Sequence, residues 1–187
     1  DTNNINPPMR LEVSQPILTN EDIAKIRLVE ESLDGAFRTE TVDITWDASA
    51  GAEGIEAAIK EICWHATEAV LADKNILILS DRAQSPDRIP MPALLATAAV
   101  HHHLVRQKSR TQVGLVVEAG DVREVHHVAL LIGYGAAGVN PYLAIESVED
   151  LARNGVYTSV EPEKAVTNVV KALGKGVMKV MSKMGIS

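Results

Sequence analysis

The sequence is poor in aromatic residues and contains a single cysteine. Of its 187 residues only 3% are aromatic, whereas 46% are hydrophobic. The core must therefore be built from Ala, Val, Ile and Leu, which suits helices packed on a parallel sheet. One thiol, Cys63, excludes an intrachain disulfide and an iron–sulfur cluster held by this chain. Because Ile62 and Trp64 flank it in a helical pattern, we interpret Cys63 as an inert buried thiol.

Basic residues and long apolar runs are also scarce. There are 18 Lys and Arg against 25 Asp and Glu, which gives a net charge of −7. This balance argues against a general nucleic-acid binder, which needs a basic face to neutralise phosphates. No apolar run approaches the roughly 20 residues that cross a bilayer, and no signal peptide is visible, so we predict no membrane partner. The polar, turn-rich start at Asp1 leads us to expect a piece of a longer polypeptide.

Apolar runs alternate with helical patterns between Asn75 and Ala144. Residues 76–79 and 113–117 are almost wholly apolar, as expected of parallel strands that helices cover on both faces. With a half-polar strand at 38–45, the chain has four mainly parallel strands alternating with helices. This predicts an α/β fold, a partial or degenerate (β/α) barrel-like unit with a helical C-terminal tail. A small doubly wound sheet fits the spacing equally well.

The boundaries of the helices and of the fourth strand are predicted from capping residues and from the spacing of apolar residues. Thr19 or Asn20 caps a helix that runs to about Glu31. Asp121 is predicted to cap the helix that ends near Ile132, and the fourth strand runs through Val139 toward Ala144. Further helices are predicted at 51–73, 93–107, 147–152 and 161–184. The whole of 1–187 is interpreted as one domain, with a loose N-terminal segment at 1–19 and the helical tail at 160–187.

Polar residues follow each buried strand, and they form the candidate working surface. Ser80, Asp81 and Arg82 end one strand, Glu118 ends the next, and Asn140 lies in the last. Ligands and partners meet parallel sheets at this carboxyl edge. Asp81 and Glu118 could serve as an acid–base pair. We favour ion pairs instead, with Arg82, Arg88 or Arg123 as partners, because the sequence has no G-x-S-x-G elbow and no phosphate-binding P-loop.

Five histidines cluster in two runs, at 101–103 and at 126–127. Adjacent helical residues point about 100° apart, so three in a row cannot converge on one ion. One histidine from each run could still meet in a metal-binding module, but such a site needs three or four ligands. We favour a structural role, with partly buried, hydrogen-bonded side chains. The residues concerned are His101, His102, His103, His126 and His127.

Two further patterns have competing interpretations. Residues 133–138 match the dinucleotide fingerprint G-x-G-x-x-G, but they follow a predicted helix and open a strand, which is the reverse of the required context. We interpret them as a glycine-rich helix exit. Lys171, Lys175, Lys179 and Lys183 form a basic stripe opposite an apolar face. Such a helix can lie on a membrane or an acidic partner, but a solvated outer face is more common.

Several stretches together resemble the central domain of glutamate synthase, the iron–sulfur flavoprotein that makes L-glutamate from L-glutamine and 2-oxoglutarate. The match is close over 75–187 and looser over 11–74, where PILTNEDI at 16–23 still fits. The two histidine runs, in this order and followed by NPYLA, are the most specific part of the resemblance. The stretches are ILILSDR (76–82), PMPALLATAAVHHHL (90–104), GLVVEAGDVREVHHVALLIGYGAAGVNPYLA (114–144) and KGVMKVMSKMGIS (175–187).

The resemblance implies a scaffold role. In this family the central domain is similar to a degenerate β/α barrel that binds no cofactor, joins the glutamine amidotransferase and FMN-binding domains, and helps to wall an ammonia tunnel. FMN and the iron–sulfur cluster are expected outside these residues, as is catalysis. The interdomain or tunnel-facing candidates are Ser80, Asp81, Arg82, Glu118, Asn140 and Tyr142. A cytoplasmic or, in plants and algae, plastid location is expected, and the isolated chain is expected to self-associate.

Overall fold

The computed structural model describes residues 15–29, 35–156 and 159–186. This part of the chain contains six α-helices, six strands and three short 3-10 turns. The helices are α1 Asn20–Arg27, α2 Ile55–Leu71, α3 Ala93–Arg106, α4 Val125–Gly133, α5 Tyr142–Arg153 and α6 Pro162–Met184. The strands are β1 Thr39–Asp43, β2 Thr45–Asp47, β3 Ile76–Ser80, β4 Arg88–Pro90, β5 Gly114–Glu118 and β6 Ala136–Asn140.

The main sheet has four parallel strands in the order β1-β3-β5-β6. Each strand pairs with the next parallel strand of the chain, and the order never reverses. A doubly wound sheet reverses its strand order at a switch point, whereas a β/α barrel keeps it. The predicted α/β class with four parallel strands is therefore confirmed, and the strand order favours the barrel-like alternative.

The two faces of the sheet pack on different elements. Leu77, Leu79 and Leu115 belong to a core formed with α2 and α3, which contribute residues such as Ile62 and Val100. The opposite face, the inner face of a barrel, packs on α1 and its flanking residues. There Ile76, Ile78 and Val116 meet Leu18, Ile23, Ile26 and Phe37. Because burial of one such side chain is worth about 1.5–3 kcal/mol, α1 is fixed firmly across the inner face.

The edge of β6 is covered by the segment just before α1. Leu18 donates its backbone N–H to the carbonyl of Val139 at 2.8 Å, and Val139 donates to Pro16 at 2.7 Å. Ile17 and Leu18 are buried, so this described end of the predicted loose segment packs on the sheet, whereas residues 1–14 lie outside the described part. A Cβ at Gly138 would lie 2.9 Å from Leu18 Cδ1, so this glycine permits the close approach.

Several predicted boundaries are wrong. The strand predicted at 38–45 is divided at Ile44, after which β2 pairs with β4 in a small antiparallel sheet that the sequence did not predict. The last parallel strand ends at Asn140, and α5 begins at Tyr142 instead of residue 147. Asp121 caps no part of α4; its carboxylate accepts from the backbone N–H of Ala93 at the start of α3, at 3.0 Å.

Other local predictions are confirmed. Thr19 caps α1 in a reciprocal capping box, accepting from the N–H of Asp22 at 3.1 Å and donating its own N–H to that carboxylate at 2.9 Å. The predicted continuation of this helix to Glu31 falls outside the described residues. In the described ranges, no helix combines the length and the apolar character needed to cross a membrane.

Candidate functional site at the carboxyl edge of the sheet

One row of side chains runs across the carboxyl edge of all four parallel strands. The strand register aligns Asp43 with Ser80, Ser80 with Glu118, and Glu118 with Asn140. Residues at matching positions of a sheet point to the same face, so the row lies on the inner face, beside α1. The structure thus brings together the strand-end residues that the sequence singled out and adds Asp43 to them.

Glu118 is the most enclosed member of this row. It has no exposed surface, and its carboxylate accepts hydrogen bonds from three side chains. Ser80 Oγ donates at 2.5 Å, Arg27 donates twice at 3.0 and 2.5 Å, and Arg82 Nε donates at 3.2 Å. Burial alone would raise the pKa of Glu118, but the hydrogen bonds from Arg27 and Ser80 and the two guanidinium charges outweigh burial and lower this pKa.

Asp81 forms a second, separate network. Its carboxylate accepts from the backbone N–H of Gly120 at 2.9 and 3.1 Å and from the Tyr142 hydroxyl at 2.7 Å. Gln84 donates to the same hydroxyl at 2.6 Å. Burial raises the pKa of Asp81 in spite of these hydrogen bonds, and burial together with the neighbouring Asp81 raises the pKa of Tyr142. The pKa values of the two carboxylates considered as an acid–base pair are therefore shifted in opposite directions.

Arg82 links the two networks. Its guanidinium carbon lies 4.2 Å from the centre of the Tyr142 ring, a cation–π contact, while Nε binds Glu118. Its second nitrogen donates to Glu146 of α5 at 2.8 Å. Asn20 of α1 donates to the same Glu146 oxygen at 2.9 Å. Arg82 therefore fixes the strand end, α5 and the start of α1 relative to one another.

Asn140 ties the row to the segment before α1. Its amide nitrogen donates to the carbonyl of Leu18 at 2.9 Å and to the side-chain oxygen of Asn20 at 3.0 Å. Its own side-chain oxygen is buried and has no hydrogen-bond partner within the described part of the chain. Buried acceptors of this kind are usually satisfied by an ordered water.

The geometry does not support the acid–base hypothesis. That hypothesis requires Asp81 and Glu118 to open into one pocket. Glu118 is instead enclosed and paired with two arginines, and Asp81 is also buried. Two cavities of about 320 Å³ lie elsewhere, one beside Trp46 and one between α4 and α6, and neither carboxylate lines them.

The predicted ion pairs are correct only in part. Arg82 does pair with Glu118, but Arg88 pairs with Asp43 at 3.2 Å. Arg27 is a further partner of Glu118 that was not predicted from the sequence. A basic residue in the last turn of a short helix is common, so nothing local indicated that its side chain reaches the sheet.

The histidines are dispersed over separate contacts. His101 accepts from Arg110 Nε at 2.9 Å, and His103 contacts the Thr67 hydroxyl at 2.8 Å. Burial, together with Arg110 and His102, lowers the pKa of His101. His127 lies near Glu124, and His126 lines the cavity between α4 and α6. Within residues 15–29, 35–156 and 159–186, no group of three His, Cys, Asp or Glu side chains is placed to hold a metal ion.

A family model described as the glutamate synthase central domain matches residues 2–187. The chain belongs to this family. It is 42% identical over 179 residues to NADH glutamate synthase of Schizosaccharomyces pombe, covering 95% of the chain and 8% of that protein. It is 36% identical over 178 residues to the NADPH glutamate synthase large chain of Bacillus subtilis, covering 95% of the chain and 11% of that protein. A ferredoxin-dependent enzyme of Arabidopsis thaliana is 35% identical over 186 residues, covering 93% and 12%.

This central-domain chain thus spans about a tenth of the length of these relatives. Solved structures with a similar fold include a flavocytochrome b2 variant with benzoylformate, with a TM-score of 0.55 at 13% identity, covering 89% of the chain and 48% of that protein. A mandelate oxidase variant with an FMN adduct has a TM-score of 0.52 at 14% identity, covering 92% and 59%. These TIM-barrel-like neighbours show the fold alone, and they confirm the partial-barrel prediction.

Proposed function

We propose that this chain is a non-catalytic central domain of a glutamate synthase. It joins the glutamine amidotransferase domain to the FMN-binding synthase domain of the same polypeptide and helps to form the passage for ammonia between them. The polypeptide as a whole would convert L-glutamine and 2-oxoglutarate to L-glutamate. The observation that carries the scaffold role is the closed network around Glu118, in which Arg27, Arg82 and Ser80 occupy the carboxylate from three sides.

The carboxyl edge is where barrel enzymes bind their ligands. In this chain α1 lies across the inner face, and its Arg27 and Asn20 side chains reach the strand ends. The two guanidinium groups of Arg27 and Arg82 are balanced by Glu118 and Glu146. A flavin phosphate needs uncompensated positive charge or free backbone donors, so these residues do not fit FMN. The single Cys63 likewise does not fit an iron–sulfur cluster, which takes four ligands.

The six proposed interdomain residues divide into two groups. Arg82 keeps 39% of its side chain exposed, so it is available to a neighbouring domain or to the passage. The other five are buried by the chain itself, and we propose that they hold Arg82 and the α1 side chains in place. These buried residues are Ser80, Asp81, Glu118, Asn140 and Tyr142.

The scaffold proposal is tested first on the isolated chain. The purified chain is supplied with L-glutamine, 2-oxoglutarate, FMN and a chemical reductant, and glutamate formation is followed. We expect none above the protein-free control. Glutamate formation that is lost in Glu118→Gln or Asp81→Asn would overturn the proposal in favour of a catalytic carboxyl edge.

The passage is tested in the complete enzyme that carries this chain. Arg82→Ala is expected to leave glutamine hydrolysis intact while the ammonia released per glutamate formed from 2-oxoglutarate rises severalfold. Arg153→Ala is the matched control, because Arg153 forms an exposed pair with Glu149 on the outer helix α5. An unchanged ratio in Arg82→Ala, with normal folding, would remove Arg82 from the passage.

The proposal for the cellular location is based on the names and source organisms of the relatives. Some are named as chloroplastic, as in Arabidopsis thaliana and Oryza sativa, and others come from yeasts and bacteria. We propose a cytoplasmic location, or a plastid if the chain comes from a plant or alga. Fractionation of source cells with an antibody to residues 75–187 tests this, and recovery with membranes after a high-salt wash would contradict it.

A further inference from the structure

A cavity of about 320 Å³ is lined by the small β2–β4 sheet and by the first half of helix α2. It shares only Asp43 with the row at the carboxyl edge of the main sheet. Its wall combines an indole ring, small apolar side chains and charged groups, which is the mixture typical of a site for a small ligand. The aromatic, charged and imidazole side chains of the lining are Asp43, Trp46, Asp47, Glu61, His65 and Arg88. We call this space the Trp46 cavity.

The indole ring of Trp46 is held in place at one side of this cavity. Its Nε1–H donates to the carbonyl of Gly51 at 3.0 Å. A Cβ at Gly54 would lie 3.0 Å from Cδ1 of the ring, so the absence of a side chain at Gly54 lets the backbone before α2 pack against the indole. Trp46 also pairs with Ile89 in the β2–β4 sheet. The aromatic wall is therefore preformed.

Two charged residues of the lining neutralise each other. Arg88 donates to the carboxylate of Asp43 at 3.2 Å, and it donates to the hydroxyl and the carbonyl of Thr45 at 2.9 Å each. Asp43 also accepts from the backbone N–H and the hydroxyl of Thr45, both at 2.8 Å. An anionic ligand would have to compete with Asp43 for Arg88, so this pair does not make the cavity an anion site.

The two other carboxylates of the lining leave the cavity with negative charge. Asp47 accepts from the backbone N–H of Ser49 at 2.7 Å, and the hydrogen bonds from Ser49 lower the pKa of Asp47, so this carboxylate is ionised at neutral pH. Glu61 makes no hydrogen bond or ion pair within the described part of the chain. His65 does not compensate these charges, because its Nε2 lies 3.0 Å from the carboxylate of Glu40.

We propose that the Trp46 cavity binds a guanidinium group carried on a short alkyl chain. A guanidinium ion is planar, stacks on aromatic faces and donates paired hydrogen bonds to carboxylates. The indole of Trp46 takes its face, and Asp47 and Glu61 accept from its N–H groups. The alkyl chain contacts the apolar lining, which includes Ala57 and Ile62.

The guanidinium can come from an arginine side chain of a partner protein or from a free alkylguanidine, because both present the same planar cation. An ammonium group fits the cavity less well, since it is a compact, strongly hydrated point charge that does not stack on an indole as a planar ion does. Binding at this cavity does not depend on the proposed scaffold role of the chain.

Trp46 itself reports binding in the full chain. The chain has two tryptophans, and Trp64→Phe leaves Trp46 as the only one. Two guanidinium probes are titrated into this variant: n-butylguanidine, and a blocked tripeptide with arginine between two glycines. The control tripeptide carries citrulline in place of arginine, and its urea group has nearly the same shape but no charge. Isothermal titration calorimetry on the unsubstituted chain provides a second readout.

We expect saturable binding of at least one guanidinium probe, and at least about tenfold weaker binding of the citrulline tripeptide. Tighter binding of the arginine tripeptide than of n-butylguanidine identifies a protein side chain as the ligand, and the reverse order identifies a free alkylguanidine. Equal binding of the arginine and citrulline tripeptides would overturn the proposal. So would the absence of both an emission change and a binding heat with the two guanidinium probes.

Matched variants locate the site. Glu61→Gln removes one accepting charge and is expected to weaken the guanidinium probe about three- to tenfold. Glu56→Gln, at an exposed position of the same helix outside the lining, is expected to change nothing. Ala57→Leu, at an exposed lining position, fills part of the cavity with another good helix former and is expected to weaken binding severalfold. Binding that Glu61→Gln or Ala57→Leu leaves unchanged, or that Glu56→Gln weakens equally, would overturn the proposal.

Discussion

Arg27 donates two hydrogen bonds, of 3.0 and 2.5 Å, to the carboxylate of Glu118, which lies 91 residues further along the chain. The pair connects the last turn of α1 to the carboxyl end of β5 across the inner face of the sheet. An ionised carboxylate without exposed surface is tolerated only if such partners neutralise it. The position of α1 and the charge state of Glu118 therefore depend on each other.

Removal of Arg27 should destabilise the chain. Loss of one partner of a buried ion pair costs about 3–5 kcal/mol, but Arg27 is one-third exposed and Arg82 remains beside Glu118, so we expect about 2 kcal/mol for Arg27→Ala. Lys25→Ala is the control on the same helix; its pair with Glu21 is exposed, and we expect a much smaller loss of stability than for Arg27→Ala. Urea unfolding followed by circular dichroism measures both, and equal effects would contradict the buried-pair interpretation.

Glu118 should make the stability of the chain depend on pH in the acid range. Because the pKa of Glu118 is lowered on folding, its stabilisation is present above the ordinary glutamate pKa and is lost as the pH falls through the folded value. We expect the free energy of unfolding of Glu118→Gln to fall less between about pH 5 and pH 3 than that of the unsubstituted chain. Urea titrations at a series of pH values measure this difference.

Asp81 provides the control, because its contribution to the pH dependence of stability has the opposite sign to that of Glu118. Its pKa is raised on folding, so its ionisation costs stability at neutral pH, and this cost disappears as the pH falls below the raised value. In the unsubstituted chain, protonation of Asp81 therefore adds stability as the pH falls. Asp81→Asn lacks this gain, so its free energy of unfolding should fall more steeply with decreasing pH than that of the unsubstituted chain. Parallel pH profiles for Glu118→Gln and Asp81→Asn would contradict the assignment of the two networks.

Two glycines of α6 should respond oppositely to alanine. A Cβ at Gly176 would overlap Val125, a stiff β-branched side chain, so we expect Gly176→Ala to destabilise the chain by about 1–2 kcal/mol. At Gly174 the nearest atom to an added Cβ is Gln15 Oε1 at 3.5 Å, an ordinary contact. Gly174→Ala should therefore stabilise by about 0.5–1 kcal/mol through helix propensity. Thermal unfolding distinguishes the two, and stabilisation by Gly176→Ala would contradict the close helix contact.

The isolated chain is predicted to self-associate, and α2 offers a surface for it. Trp64 and Leu71 are 63% and 78% exposed and lie seven residues apart, on one face of the helix. Trp64→Glu should shift the chain toward monomer in sedimentation velocity, whereas Met178→Glu, at an equally exposed position on α6, should not. A monomer at all concentrations before substitution would refute the prediction.

Local sequence patterns predicted the secondary structure where interactions between residues close in the chain decide it. The apolar runs at 76–79 and 113–117 predicted buried parallel strands because periodicity reports how many faces are covered. Thr19 and Asn20 were the two candidates for the cap of α1 because residue type beside a helix start indicates a cap, and the reciprocal hydrogen bonds with Asp22 decide for Thr19. The same local rule gave a wrong result for Asp121, which stands just before α4. Its carboxylate accepts instead from the backbone N–H of Ala93, 28 residues earlier, and a rule based on neighbouring residues cannot detect that contact.

The sequence by itself determined the α/β class, the family, and the set of polar residues that end the buried strands, since each depends on residue type and short spacing. The tertiary structure alone decided the register that sets Asp43, Ser80, Glu118 and Asn140 in one row, and the placement of Arg27 against Glu118. The physical reason is that a buried charge is neutralised by whichever group the packing brings within hydrogen-bond distance, and packing joins residues that the chain keeps far apart.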